Sequence, residues 1–134
     1  MSFLGGADRI CVYLVEDSKA IRARYASELA EMPHLQLCGE AASAPAAIKG
    51  IRETGADLVL LDLSLEESSG LDVLHAFPVG AAKPKFVVVS NNADSAMREH
   101  CLRSGAACFF DKSAAFLEVI DFLENLAKPE DLKN

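Results

Sequence analysis

The sequence predicts an α/β protein with a doubly wound, open sheet of five parallel strands, and three observations support this fold class. Apolar runs of strand length alternate with stretches of helical period, and this unit occurs five times in 134 residues. The runs are continuously apolar, as in strands whose two faces are both covered by helices. Right-handed crossovers between parallel strands then allow few arrangements other than a sheet with helices on both sides.

The first half of the chain supplies three strands and two helices. Ser18 is a candidate N-cap of the first helix, because a hydroxyl can satisfy the free N–H groups of a helix start. Pro33 stops this helix, and the second helix ends near Gly55. Each helix has an apolar stripe at a spacing of three to four residues. The predicted strands are 10–15, 35–41 and 58–61, and the predicted helices are 18–32 and 44–55.

The second half supplies two more strands and three helices. A short helix follows Gly70, and Pro84 introduces the fourth strand. Gly105 closes the fourth helix and Pro129 ends the fifth, for which Ser113 is a candidate N-cap. The predicted strands are 86–89 and 108–110, and the predicted helices are 71–77, 94–104 and 113–127.

The length fits one domain with a single sizeable core. We assign residues 9–127 to this domain, 1–8 to an N-terminal extension and 128–134 to a C-terminal tail. The first eight residues have neither the basic region nor the long apolar stretch of a secretory signal. No apolar run reaches the roughly 18 residues that a membrane span needs. We therefore expect a cytoplasmic protein without a membrane partner.

The formal net charge of −7 favours some partners and excludes others. An acidic chain repels the phosphates of nucleic acids and of anionic lipids, so direct nucleic-acid binding is not expected. Cations and basic partner surfaces are favoured instead.

The cysteines and histidines do not predict a metal site. The four cysteines, at 11, 38, 101 and 108, include no pair at a C-x-x-C spacing. We expect them to be reduced and to serve as small buried apolar residues. His34, His75 and His100 are isolated along the chain and lack a ligand spacing, so ordinary surface or core positions are expected for them.

Polar residues follow the apolar runs at the points where the predicted strands end. In open parallel sheets, ligands bind outside the carboxyl ends of the strands, so these residues form the candidate site. They are Glu16 and Asp17 after the first strand, Asp62 after the third, Ser90 after the fourth, and Asp111 and Lys112 after the fifth.

The residue types in this set point to phosphoryl chemistry. Carboxylates packed together repel one another, and a hard cation such as Mg²⁺ relieves the repulsion while accepting phosphate oxygens. A lysine supplies a compact charge for one phosphate oxygen, and a hydroxyl can donate to another. An aspartate can act as a nucleophile and form an acyl phosphate. Because phosphoryl transfer depends mainly on positioning and charge neutralisation, a Mg²⁺-dependent acceptor is expected.

The order and spacing of these residues resemble the receiver domains of bacterial two-component response regulators. The resemblance covers residues 9–127 and implies a flavodoxin-like (βα)5 fold with strand order 2-1-3-4-5. It rests on Val15-Glu-Asp-Ser18, on Leu60-Leu-Asp62 with Gly70 eight residues later, on Val88-Val-Ser90, and on Gly105-Ala-Ala-Cys-Phe-Phe-Asp-Lys112.

The resemblance implies a role for each residue of the acidic pocket. Asp62 is similar to the phosphoacceptor, which takes its phosphoryl group from a histidine kinase or a phosphotransfer protein. Asp17 resembles the direct Mg²⁺ ligand and Glu16 the neighbouring acid that acts largely through water, while the backbone carbonyl of Ser64 resembles a further ligand. Lys112 is similar to the lysine that contacts the acceptor and then the phosphoryl group.

The resemblance also implies a switch. Ser90 matches the hydroxyl that engages the phosphoryl group, and Phe109 matches the aromatic residue that turns inward with it. In the family, the face of the fourth helix, fifth strand and fifth helix then presents the change to a protein partner. Ser64 and Asn92 lie where the family tunes dephosphorylation.

Two positions depart from the family pattern. Ser113 stands where the family usually has a proline, often after a cis peptide, so the Lys112–Ser113 peptide is expected to be trans. Glu66 stands where a proline is frequent, and Glu66 and Glu67 add negative charge beside the pocket.

The expected function is a response regulator that works alone, without a DNA-binding output domain, as a monomer or weak homodimer. It would not be an enzyme beyond catalysing its own phosphorylation and dephosphorylation. One alternative is a receiver-like docking module that works without phosphorylation. A flavodoxin is disfavoured because Glu16 and Asp17 would repel the FMN phosphate, and a haloacid-dehalogenase-type phosphatase because Ser64 replaces its second aspartate.

Overall fold

A computed structural model of the protein describes residues 9–65, 67–92, 94–113 and 116–126. The strands are β1 (Ile10–Val15), β2 (Leu35–Ala41), β3 (Leu58–Asp62), β4 (Lys85–Ser90) and β5 (Ala106–Asp111). They form one parallel sheet in the order β2-β1-β3-β4-β5, which confirms the predicted fold class and strand order. The predicted extension 1–8 and tail 128–134 lie outside the described residues, so the domain boundaries stay predictions.

Five helices connect or follow the strands. They are α1 (Lys19–Ala30), α2 (Ala44–Thr54), α3 (Gly70–His75), α4 (Ser95–Arg103) and α5 (Phe116–Glu124). Ser18, Ser43, Ser69 and Asp94 cap the first four, because each side chain accepts a hydrogen bond from a backbone N–H of the first turn. The predicted cap at Ser18 is confirmed. Gly55 closes α2 in the left-handed conformation, with φ 64°.

Side chains of the strands alternate between two apolar cores, one on each face of the sheet. Tyr13 and Val15 of β1 lie in the core that α2, α3 and α4 cover, with Ile51 and Val73 among its helical residues. Residues on the other face pack against α1 and α5; they include Val12, Leu14, Tyr25, Leu29, Val119 and Leu123. The three central strands, β1, β3 and β4, are almost continuously apolar because both of their faces are buried, as the sequence predicts, whereas the edge strand β2 exposes Gln36 and Glu40.

Strands β3 and β5 extend further than their hydropathy predicts. Asp62 is the last residue of β3 and pairs with Val89, while Asp111 ends β5 opposite Ser90. The hydrogen-bonded ladder sets these ends, and the polar residues at the tips take part in it. Their backbone positions are therefore fixed by the sheet rather than by a free loop.

The expectation for Cys11 and Cys38 is wrong, because the two form a disulfide between β1 and β2 with their Cα atoms 5.7 Å apart. Cys38 is the extra residue where the register shifts opposite Val12 and Tyr13, which places it beside Cys11. The other two cysteines are free, and Cys101 is fully buried as predicted, whereas Cys108 is half-buried. Across the described ranges, no helix is long and apolar enough to span a membrane.

The disulfide makes a prediction that intact mass spectrometry can check. Protein purified without reductant should gain two hydrogen atoms on reduction, and Cys38→Ser should abolish this gain. Disulfides are rare in reducing compartments, so the pair can differ between the cell and the purified protein. Alkylation of free thiols at the moment of cell lysis shows whether Cys11 and Cys38 are oxidised in the cell. Cys101→Ser is the matched control and should keep the gain. A wild-type mass that reductant leaves unchanged would contradict the pairing.

Candidate functional site

The polar residues that end β1, β3 and β4, and the lysine that follows β5, meet at one edge of the sheet. Glu16, Asp62 and Ser90 are buried, with 2%, 3% and 1% of their surfaces exposed. Asp17 and Lys112 are half-buried and face the entrance. The structure therefore brings Glu16, Asp17, Asp62 and Lys112 together, while Ser90 ends the neighbouring strand.

Three carboxylates form the acidic part of the site. Each of Glu16, Asp17 and Asp62 offers an oxygen within 4.8 Å of the others. This donor set, with a single ammonium group beside it, leaves an excess of negative charge in a largely buried place. Because Mg²⁺ binds one or two carboxylates and retains water and phosphate ligands, the residues fit that ion.

Lys112 supplies the positive charge of the site. Its Nζ lies 2.7 Å from Asp62 Oδ2 and 3.3 Å from Glu16 Oε1. Partial burial disfavours the ammonium, but the two carboxylates outweigh this effect and raise the pKa of Lys112. The lysine therefore stays charged and links the tips of β1, β3 and β5.

The carboxyl group of Glu16 has a raised pKa. Burial and the neighbouring charge of Asp62 raise its pKa to about 7, although the Ser18 N–H and Lys112 both act in the opposite direction. The Ser18 N–H donates to Glu16 Oε2 at 3.0 Å. Without a cation, ionisation of Glu16 is therefore opposed by its surroundings.

A cavity of about 130 Å³ extends from the acids between α1 and α5. Apolar side chains line it, among them Ile21, Tyr25 and Phe116, and the rings of Tyr25 and Phe116 are 4.8 Å apart. Burial, and then the charges of Glu16 and Asp62, raise the pKa of Tyr25 to about 12. The acids therefore lie against a partly apolar cavity on the side of α1 and α5.

Arg22 is a site residue that the sequence did not predict. Its Nη1 donates to the backbone carbonyls of Glu16 at 2.7 Å and Asp17 at 3.2 Å. Its Nε forms an ion pair with Glu40 at 3.1 Å. The guanidinium thus fixes the backbone of the acid pair from α1, and no sequence pattern connects it to Glu40, 18 residues away.

The loop after β3 holds the Asp62 side chain through a backbone hydrogen bond. The N–H of Ser64 donates to Asp62 Oδ1 at 3.0 Å, so each Asp62 oxygen has one donor. The role of the Ser64 carbonyl as a metal ligand stays a prediction. Gly70 packs against the same strand end, because a Cβ there would contact the Asp62 carbonyl oxygen and lie 2.6 Å from Leu63 Cα.

The predicted switch residues are both buried, but they do not touch the same groups. The Ser90 hydroxyl donates to the carbonyl of Asn92 at 3.2 Å and accepts from the N–H of Asn92 at 3.0 Å. Phe109 lies in the core beneath α4, and the guanidinium of Arg98 stands 4.9 Å from the centre of its ring. Switching stays a prediction.

The structure shows the backbone conformation at Ser113, one of the two positions that depart from the family pattern. The Lys112–Ser113 peptide is trans, as expected, and the cis peptide of the described chain precedes Pro84. The N–H and hydroxyl of Ser113 both donate to Asp111 Oδ1. Residues 114 and 115 and Glu66 lie outside the described residues, so the Ser113 cap of α5 and the effect of Glu66 stay predictions.

Comparisons with known proteins agree with the geometry. The family model described as "Response regulator receiver domain" matches residues 12–124. The chain is 26% identical to "Response regulator UvrY" of Escherichia coli over 117 residues, which are 87% of this chain and 54% of the relative. It is 30% identical to "Transcriptional regulatory protein UhpA" of Salmonella typhimurium over 118 residues, 88% of this chain and 59% of the relative. The chain thus spans little more than half the length of these relatives.

Solved structures share the fold. The response regulator domain of Thermotoga maritima CheB superposes with a TM-score of 0.77 at 24% identity, over 92% of this chain and 96% of that one. The signal receiver domain of the putative response regulator NarL from Mycobacterium tuberculosis superposes with a TM-score of 0.77 at 23% identity. The match covers 90% of this chain and 97% of that one.

The raised pKa of Glu16 predicts a pH dependence of stability. The unfolded chain releases the Glu16 proton near pH 4.5, whereas the native state keeps it up to about pH 7. The free energy of unfolding of metal-free protein should therefore fall as pH rises through this window, by up to about 3 kcal/mol. Urea titrations in a chelating buffer at several pH values measure this free energy of unfolding.

Two variants isolate this effect. Glu16→Gln should lack the fall and should be more stable than the wild type above pH 7, while Glu28→Gln, at an exposed carboxylate of α1, should retain it. A difference between Glu16→Gln and the wild type that does not change with pH would contradict the assignment.

The close packing around Gly70 predicts that a larger residue at this position destabilises the protein. Gly70→Ala should lower the free energy of unfolding by about 3 kcal/mol or more, because the added methyl group meets backbone that cannot move aside. Gly80 has a positive φ but open space around it, so Gly80→Ala should cost only about 1 kcal/mol. Urea denaturation compares the two, and equal losses would argue against the contact.

Proposed function

The chain belongs to the response-regulator receiver family, and from this premise we propose that it accepts a phosphoryl group on Asp62 in a Mg²⁺-dependent reaction. The family is a signalling domain rather than a conventional enzyme. The observation behind the proposal is the pairing of Asp62 with Lys112 at 2.7 Å inside a cluster of three carboxylates. The proposed donor is a histidine kinase or a phosphotransfer protein.

The chemistry assigns one step to Asp62. One carboxylate oxygen attacks the phosphorus of the donor phosphohistidine, a P–O bond forms, and the P–N bond breaks with its electron pair going to the imidazole. The imidazole takes up a proton from solvent, and Asp62 becomes an acyl phosphate. Hydrolysis later breaks the same P–O bond and regenerates the carboxylate.

The neighbouring residues supply charge and position for this step. Glu16, Asp17, Asp62 and the Ser64 carbonyl would hold Mg²⁺, which when bound neutralises the carboxylates and the phosphoryl oxygens. Lys112 holds Asp62 in place before transfer and then faces the new phosphoryl oxygens. The Ser64 N–H keeps the second carboxylate oxygen oriented.

Ser90 connects the acceptor to a surface that a partner can recognise. To donate to a phosphoryl oxygen, its hydroxyl must leave the carbonyl of Asn92, and the strand-to-α4 connection loses a tether. Phe109 and Arg98 couple β5 to α4 directly. We propose that α4, β5 and α5 form the protein-binding face that responds. Whether the chain works alone, without nucleic acid and in the cytoplasm, stays a prediction.

Intact mass spectrometry after incubation with acetyl phosphate and Mg²⁺ tests the proposal. The wild type should gain the mass of one phosphoryl group, and chelation of Mg²⁺ should prevent the gain. Asp62→Asn should gain nothing, whereas Asp72→Asn, at an exposed carboxylate of α3, should behave as the wild type.

The alternative of a phosphorylation-independent docking module makes the opposite prediction. In that case the wild type and Asp62→Asn give the same unmodified spectrum. A wild-type gain that persists in Asp62→Asn would place the acceptor elsewhere and overturn the assignment.

A further inference from the structure

Two histidines that are 25 residues apart in sequence meet on the surface between α3 and α4. The Nε2 atoms of His75 and His100 are 2.9 Å apart, and the rings stand edge to face at 88°. The two residues are isolated along the sequence but adjacent in space, which sequence spacing does not reveal. His34 lies apart from them, with its Nε2 2.9 Å from the carbonyl oxygen of Leu123.

The fold fixes the backbone beneath both rings. His75 follows Leu74 and His100 precedes Cys101, and these two neighbours are among the most buried residues of the core on that face. The ring of His75 is itself exposed and that of His100 half-buried. The pair is thus held on two anchored helices and open to solvent on one side.

The position of the pair in its helices favours a cation. His75 is the last residue of α3, and His100 lies in the last turn of α4. The C-terminal end of a helix carries partial negative charge, which is favourable for a cation near its last turn. Nearby Arg103 is paired with Glu99, and Arg52 donates to the Ala76 carbonyl.

The distance between the two nitrogens can be compared with the distances that different coordination geometries require. Two nitrogens that each lie about 2.0–2.1 Å from an ion and bind it at a right angle are about 2.9 Å apart, whereas a tetrahedral angle needs about 3.3 Å. The observed distance of 2.9 Å is the length of the hydrogen bond between the rings and also lies close to the right-angle value, so an octahedral or square-planar ion needs little movement of either ring. Right angles belong to octahedral and square-planar centres, which Ni²⁺ and Cu²⁺ form with imidazole ligands.

We propose that His75 and His100 form a binding site for a transition-metal ion of the Ni²⁺ and Cu²⁺ class, with water as the remaining ligands. Without an ion, the same distance is bridged by a hydrogen bond in which one ring N–H donates to the other ring nitrogen. The site is independent of the acidic pocket, because imidazole nitrogens discriminate against Mg²⁺ and carboxylate clusters favour it.

Calorimetric titration of the full, untagged chain with Ni²⁺ tests the proposal. Excess Mg²⁺ in the buffer competes with Ni²⁺ for the carboxylates, and a buffer of about pH 8 limits competition by protons, because imidazole ligands bind metal in their deprotonated form. One Ni²⁺ should bind per chain. Loss of either ligand should weaken binding about tenfold or more, because the second imidazole acts at high effective concentration. Zn²⁺, which prefers tetrahedral sites, should bind more weakly.

Three variants locate the ion. His75→Ala and His100→Ala should each weaken the binding about tenfold or more, whereas His34→Gln should leave it unchanged. Broadening of histidine ring signals by paramagnetic Ni²⁺ gives an independent readout in the wild type and should affect two of the three histidines. Binding that neither alanine change weakens, broadening at His34, or tighter binding of Zn²⁺ than of Ni²⁺ would overturn the proposal.

Discussion

The ammonium group of Lys112 lies between two buried carboxylates, and the rest of the site depends on this contact. It joins the ends of three strands, since Glu16 follows β1, Asp62 ends β3 and Lys112 follows β5. Burial disfavours the charged form of Glu16, and the one positive charge does not offset this effect and the neighbouring Asp62, so Glu16 resists ionisation. This shortage of positive charge is what makes the pocket suited to a divalent cation and then to a phosphoryl group.

Backbone groups and the side chain of Arg22 also hold the acids in position. The N–H groups of Ser18 and Ser64 each donate to a carboxylate, and Arg22 donates to the carbonyls beneath Glu16 and Asp17. Gly70 allows α3 to begin directly against the end of β3. Such contacts orient the reacting group before any ligand arrives, which is how a protein contributes to phosphoryl transfer without covalent chemistry of its own beyond the nucleophile.

The Ser90 hydroxyl is held by the backbone of Asn92, and Phe109 is held under Arg98 of α4. Both tethers end on the segment that leads into or forms α4. A change at the phosphoryl group therefore has a short physical route to this helix. The proposed His75–His100 metal site joins α4 to α3 on the same face of the sheet, so an ion bound there would restrain α4, the helix on which the proposed switch would act.

The sequence by itself determined the doubly wound sheet and the residues of the acidic pocket. Continuous apolar runs can only be strands covered on both faces, and the carboxyl ends of parallel strands must meet at one edge. Tertiary structure alone decided the contacts between residues that share no local pattern. Arg22 with Glu40, Cys11 with Cys38, and His75 with His100 depend on strand register and helix placement. Periodicity defines which face of an element is buried, but not which residue of a neighbouring element lies beside it.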